Sequence, residues 1–138
     1  MERILFMGMP GAGKGTQAAL LKEKGFYILC TGDIIREGFQ NNNSLLKPYQ
    51  EHIDNGGYLQ NEIIFQLIEQ AISKFPEDAK GYILDGAVRT IEQAKFVKKH
   101  SLADKVIFFT LTEEQAEGRL LNRNQGRADD APEAIKNR

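Results

Sequence analysis

Ten residues, Gly8-Met9-Pro10-Gly11-Ala12-Gly13-Lys14-Gly15-Thr16-Gln17, constrain this chain more than any other stretch. They follow a short apolar run, Arg3–Met7, and open a helical pattern from about Lys14 to Lys24 that stops at Gly25, a candidate left-handed terminator. Glycines at these positions let backbone N–H groups turn inward around an anion, and the helix N-terminus adds partial positive charge. Lys14 then has the reach to meet the outer phosphates of a nucleotide. The general phosphate-loop pattern puts Ser or Thr straight after the lysine. Here Gly15 takes that place and the hydroxyl comes one later, at Thr16. An ordinary glycine-rich turn is the alternative, and three motif glycines with a lysine in strand–loop–helix context weigh against it.

The rest of the chain repeats the alternation. Tyr27–Cys30, Tyr82–Asp85 and Val106–Thr110 join Arg3–Met7 as short, continuous apolar runs, the pattern of parallel strands covered on both faces. Helical patterns lie between them. One begins near Asp33, one covers roughly Ser44 to Asp54 and ends at Asn55-Gly56-Gly57, and one runs from Glu62 to Phe75. The last carries Ile64, Leu67, Ile68, Ala71, Ile72 and Phe75 on one face, with Asn61 as its expected N-cap. Two more follow Thr90 and Thr112, where Thr90/Gln93 and Thr112/Gln115 spell capping boxes. The expected fold is an α/β three-layer one with a parallel sheet of four strands and helices on both faces. From Thr31 to Leu59 helices follow one another without a strand, an insertion at the sheet's carboxyl edge, where such folds bind ligands.

With 138 residues, 41% hydrophobic and 27% charged, the chain reads as one domain, residues 1–138. No apolar run approaches the ~20 residues that span a bilayer, and the apolar part of the N-terminus is too short for a secretory signal. One cysteine, Cys30, excludes an internal disulfide framework and a cysteine-built zinc cage. A cytoplasmic location is therefore expected. A net charge of −1 gives no global field for nucleic acid or membrane, and neither is expected as a partner. The arginines are more telling. Six of seven (Arg36, Arg89, Arg119, Arg123, Arg127, Arg138) fall at segment ends beside Gly, Asp or Thr, while the lysines are scattered. Arginine's planar fork suits bidentate phosphate contacts. Arg119 and Arg123 share a helix face and would repel each other unless an anion lay between them, the alternative being a solvated pair.

These pieces resemble the nucleoside monophosphate kinases, adenylate kinase in particular. The resemblance lies in GMPGAGKGTQ with glycine between lysine and threonine, in Thr31-Gly32-Asp33-Ile34-Ile35-Arg36, and in Gly81-Tyr82-Ile83-Leu84-Asp85-Gly86 followed by Arg89-Thr90 and Gln93-Ala94. It continues with Arg119-Leu120-Leu121-x-Arg123 and Gly126-Arg127-x-Asp129-Asp130, in the family's order and over essentially the whole chain.

The resemblance implies reversible phosphoryl transfer from MgATP to AMP, with ATP and AMP as partners and Mg²⁺ but no zinc. It assigns Gly11, Ala12, Gly13, Lys14, Gly15, Thr16, Arg119 and Arg123 to ATP. Thr31, Gly32, Arg36, Gly57, Tyr58, Leu59, Gly86, Arg89 and Gln93 fall to AMP, and Asp33 and Asp85 to Mg²⁺ through water. Lys14, Arg89, Arg119, Arg123, Arg127 and Arg138 would act on the transferring group, with Asp129 and Asp130 orienting the arginines. Gln93 stays open between capping its helix and reading the base. Cys30, His52 and His100 show no convergent partners and read as structural or surface residues. Residues 31–60 would form the acceptor-binding insertion and close over the acceptor to exclude water. Residues 123–127 would form a short lid.

The chain departs from the family pattern in three places. The family's Gly-Phe-Pro-Arg is Gly86-Ala87-Val88-Arg89 here, so the Ala87–Val88 bond is expected to be trans, since a cis bond before a non-proline residue costs about 2.5–4 kcal/mol. Ala87 also removes an aromatic ring from the acceptor side. The lid is too short for a cysteine-held zinc. Lastly, Ala131-Pro132-Glu133 starts a helix and Arg138 comes without a stop signal, so the chain reads as part of something longer, lacking a final strand and helix. Weak or absent turnover is expected of this form, with dimerisation across the Val106–Thr110 edge as an option and a monomer expected of a complete protein. UMP/CMP kinase and a catalytically impaired nucleotide-binding module are the alternatives.

Overall fold

The computed structural model describes residues 1–9, 11–112, 114, 115, 117 and 118. The expectations for the lid, Arg119, Arg123, Arg127, Asp129, Asp130 and Arg138 lie outside the described residues. In chain order the elements are β1 (Glu2–Gly8), α1 (Lys14–Glu23), β2 (Phe26–Cys30), α2 (Thr31–Gln40), a 3₁₀ turn (Lys47–Tyr49), α3 (Gln50–Asp54), α4 (Asn61–Ser73), β3 (Gly81–Asp85), α5 (Ile91–Lys99) and β4 (Lys105–Phe109). The four strands are all parallel, in the order β2-β3-β1-β4.

Alternation along the strands sorts the core into two layers. On one face Ile4, Phe6 and Ile83 pack against Ala18 of α1. On the other, Leu5, Leu29, Tyr82 and Leu84 meet Phe65 and Ile68 of α4 and Val97 of α5. Each of these large side chains contributes about 1.5–3 kcal/mol on leaving water. The Tyr82 hydroxyl donates to the Leu102 carbonyl at 2.6 Å, and burial pushes its pKa up from the ordinary tyrosine value. The insertion has a small core of its own: Leu46, Leu59 and Leu67, with Ile34, Phe39 and Ile53 against it. Helix α4 thus serves two cores. That explains why Phe65, off the apolar face read from the sequence, is fully buried.

Several expectations need correction. The α2 helix starts at Thr31 rather than near Asp33, with Cys30 as its N-cap and no side-chain cap. The Ser44–Asp54 helix is instead a 3₁₀ turn followed by the five-residue α3, because Pro48 lacks the N–H that a continuous helix would need. Asn61 is the first residue of α4 and not its cap. Gln60 is the N-cap, and the Asn61 side chain is taken by Gln93. Strand β4 is not covered on both faces: Val106, Ile107 and Phe108 are exposed, since it lies at the sheet's edge and only Phe109 packs against the described core.

Both capping boxes form. The Gln93 and Gln115 amides donate to the Thr90 and Thr112 hydroxyls, each at 3.2 Å, and the glutamine oxygens accept from the threonine amides. Gly25 takes φ +97° just after α1, as a left-handed terminator should. The described residues contain no cis peptide bond, so Ala87–Val88 is trans. No described helix is long and apolar enough to cross a membrane.

Candidate active site

Parallel pairing brings the carboxyl ends of β1, β2 and β3 to one edge, with Asp85 in register with both Phe6 and Cys30. The glycine loop leaves β1 at that edge. Gly8, Gly11 and Gly13 have φ of +143°, +83° and +99°, conformations that side chains resist. A Cβ on Gly8 would also stand 2.5 Å from the Phe109 carbonyl oxygen, so close packing between β1 and β4 demands glycine there. Gly13 is the N-cap of α1 and brings no side chain to cap it, and a helix N-terminus without a side-chain cap suits an anion. The Lys14 ammonium donates to the Gly8 carbonyl at 2.7 Å and to the Met9 carbonyl at 3.2 Å, so it lies across the loop.

Beside the loop, two arginines fold back toward the strand ends. The guanidinium of Arg36 pairs with Asp33 and lies over Gly32, where a Cβ would come 3.3 Å from Nη1. Arg89 reaches over Gly86, whose φ is +79°, with Nη2 3.8 Å from the place of a Cβ. Gly32 follows β2 and Gly86 follows β3, and these strands are neighbours. Gly32 makes room for Arg36, and Arg89 lies in ordinary contact over Gly86, so two cationic forks stand over adjacent strand ends, an arrangement suited to an anion. The Gly32/Arg36 spacing could have signalled the first of these, since a residue four along a helix returns over the preceding turn, whereas Gly86/Arg89 lies outside a helix.

Thr31 lies at the same edge, and its hydroxyl oxygen is shut from water and finds no hydrogen-bond partner among the described residues. Such a group costs about 1–3 kcal/mol unless a partner is supplied. Gln93 is heavily engaged. Its oxygen accepts from the Arg89 amide at 2.7 Å and the Thr90 amide at 3.2 Å, and its nitrogen donates to Asn61 at 3.0 Å. Ala87, where the family places an aromatic residue, is buried in the main core. Gly57, Tyr58 and Leu59 lie in the insertion, with Leu59 buried and Tyr58 90% exposed. Neither histidine is without neighbours. His100 stacks on Phe96 at 4.0 Å and lies 3.5 Å from a Glu69 oxygen, and His52 contacts Tyr58.

A parallel sheet whose first strand runs into a glycine loop and helix, with arginines and a carboxylate at the same edge, defines a P-loop nucleotide-binding protein. A family model described as adenylate kinase matches residues 6–138. The chain is 38% identical to the adenylate kinase of Leptospira biflexa over 146 aligned positions, covering 100% of this chain and 78% of that protein. It is 36% identical to that of Nocardia farcinica (99% and 77% covered) and 38% identical to that of Agrobacterium fabrum (99% and 76%). The chain belongs to the adenylate kinase family. It is accordingly an enzyme of the nucleoside monophosphate kinase class, built for phosphoryl transfer between nucleotides.

Proposed function

We propose that the chain transfers the γ-phosphoryl group of MgATP to AMP, giving two ADP. The observation that carries the reading is the sharing of one sheet edge by the phosphate loop, two arginines folded over adjacent strand ends, and a buried hydroxyl without a partner. The loop amides and Lys14 would hold the donor's phosphates. Arg36 and Arg89 would hold the acceptor's phosphate, and Thr31 would give its hydroxyl to the acceptor's base. Gly32, Gly57, Tyr58, Leu59 and Gly86 would line the acceptor's path. Arg119, Arg123, Arg127 and Arg138 are assigned from the sequence to the transferring group.

The reaction needs no protein base. The acceptor phosphate is already largely a dianion near neutral pH, its second pKa being about 6, and what remains is alignment and neutralisation of charge on the equatorial oxygens. The residues fit Mg²⁺. Asp85 ends β3 beside the loop as a half-buried carboxylate, and Thr16 adds a hydroxyl in the first turn of α1. One carboxylate with substrate phosphates is the ligand set this ion prefers. Asp33 shares its carboxylate with Arg36 and would act at longer range. When bound with ATP, Mg²⁺ would neutralise charge on the β- and γ-phosphates. The insertion would close over the acceptor and keep water from the donor.

A coupled assay of ADP formation from MgATP, with AMP, CMP, UMP and GMP offered separately, tests the reading. AMP should be the preferred acceptor, and Lys14→Met should abolish turnover. Faster transfer to CMP or UMP would make it a pyrimidine nucleotide kinase. Tight binding of a bisubstrate dinucleotide without turnover would reduce it to a binding module.

A further inference from the structure

Helix α3 ends in a tight main-chain lock. The Gly56 amide donates to the Ile53 carbonyl and the Gly57 amide to the His52 carbonyl, both at 2.9 Å, with Gly56 at φ +83°. This is the Schellman pairing, with the left-handed glycine at the position that needs it. His52 is thus bound to the following loop through its backbone. It is bound a second time through its ring, whose Nε2 lies 3.1 Å from the Tyr58 carbonyl oxygen.

A carbonyl only accepts, so Nε2 carries the proton in this contact. The ring has a seat made for it. A Cβ on residue 57 would overlap Nε2, Cε1 and Cδ2 of His52, so the ring would have to shift. Glycine at 57 and histidine at 52 are a matched pair.

The far end of the loop is also fixed. Leu59 is buried in the insertion's own core, and Asn61 accepts from Gln93 of α5. Between these anchors Tyr58 holds its ring 90% exposed, so nothing in the core positions that residue. Its backbone is placed from outside, by His52.

We propose that His52 is a positioning residue for the acceptor loop: seated on Gly57 and holding the Tyr58 carbonyl, it fixes Gly57–Leu59 in the shape that receives the acceptor nucleotide. The proposal rests on assigning those three residues to the acceptor, as above. His52 itself touches no substrate.

The test compares the unaltered chain with His52→Ala, His52→Gln and Gly57→Ala. Two readouts are taken: amide hydrogen exchange over Gly57–Leu59, and steady-state kinetics with AMP and ATP varied in turn. His52→Ala should speed exchange in the loop and raise the KM for AMP about five- to tenfold, the effect of one lost hydrogen bond, with kcat and the KM for ATP changed less than about twofold. Gly57→Ala, which pushes the ring off its seat, should reproduce both effects. His52→Gln, whose terminal amide can also donate to the carbonyl, should recover most of the loss. An unchanged AMP KM in His52→Ala, or an equal loss in kcat and in both KM values, overturns the proposal. Should the unaltered chain neither turn over nor bind AMP, the functional reading fails instead. The exchange readout then judges His52 alone, and unchanged loop exchange overturns its role.

Discussion

A Cβ placed on Gly15 meets no atom of the described residues within 4 Å, whereas one on Gly8 runs into the Phe109 backbone. The first glycine is therefore not required by the fold, and its φ is not in the left-handed range. Gly15→Ala should stabilise the chain by about 0.4–1 kcal/mol by restricting the unfolded state, read as a higher midpoint in urea. It should also raise the KM for ATP, because the open space beside Lys14 is where a triphosphate would pass. An unchanged KM would mean that no nucleotide uses that space. Thr31 gives the complementary case. Thr31→Val keeps the shape and removes a buried hydroxyl that has no partner, so stability should rise, by at most about 1–3 kcal/mol, while the KM for AMP increases. If stability falls and the KM for AMP stays unchanged, the hydroxyl serves the fold. Much of the candidate site's local geometry was legible at this scale, because glycine and lysine at fixed offsets dictate a left-handed loop running into a helix. What lays Arg89 over Gly86 was not, since the fold-back of a long side chain outside a helix follows no fixed spacing.

Helix starts with a reciprocal side-chain signal were readable, and those without one were not. Thr90/Gln93 and Thr112/Gln115 satisfy each other's backbone locally, so pattern and structure agree. Asn61 had the right type for a cap, but a partner 32 residues away claims it, and no local rule shows that. The same glutamine raises the question that the sequence left open, cap or base reader. Gln93→Glu separates the two. The carboxylate keeps the oxygens that accept from Arg89 and Thr90 and adds negative charge at a helix N-terminus, which is favourable by about 0.3–1 kcal/mol. It gives up the donor to Asn61 and the amide face that a base would read. Stability in urea should hold to within about 1 kcal/mol, the worth of a single hydrogen bond, while the KM for AMP climbs and acceptor selectivity relaxes. Lost stability with unchanged kinetics would make Gln93 a cap and nothing more.

At the scale of the whole molecule the sheet is lopsided. Strands β1 and β3 have neighbours on both sides, and β2 closes one edge with Tyr27 stacked on Phe75 at 4.3 Å. At the other edge β4 offers Val106, Ile107 and Phe108 to solvent, and among the described residues no strand pairs with its outer side. The apolar run at Val106–Thr110 reads in sequence like the buried strands because hydrophobic content alone does not tell which strand has two partners. Only the topology does. An edge with unpaired backbone groups and apolar side chains on both faces is a template for another strand. Lys105, paired with Glu2 at 3.0 Å, puts a charge at its start only. The 138-residue chain should therefore self-associate, with a weight-average sedimentation coefficient that rises with concentration. Ile107 is already 42% exposed, so Ile107→Lys should cost little stability, below about 1 kcal/mol as for other surface changes. Charge in the middle of the strand should restore a concentration-independent monomer. A chain that stays monomeric at every soluble concentration, or an Ile107→Lys variant that associates as strongly as the unaltered one, would show that this edge is not the contact.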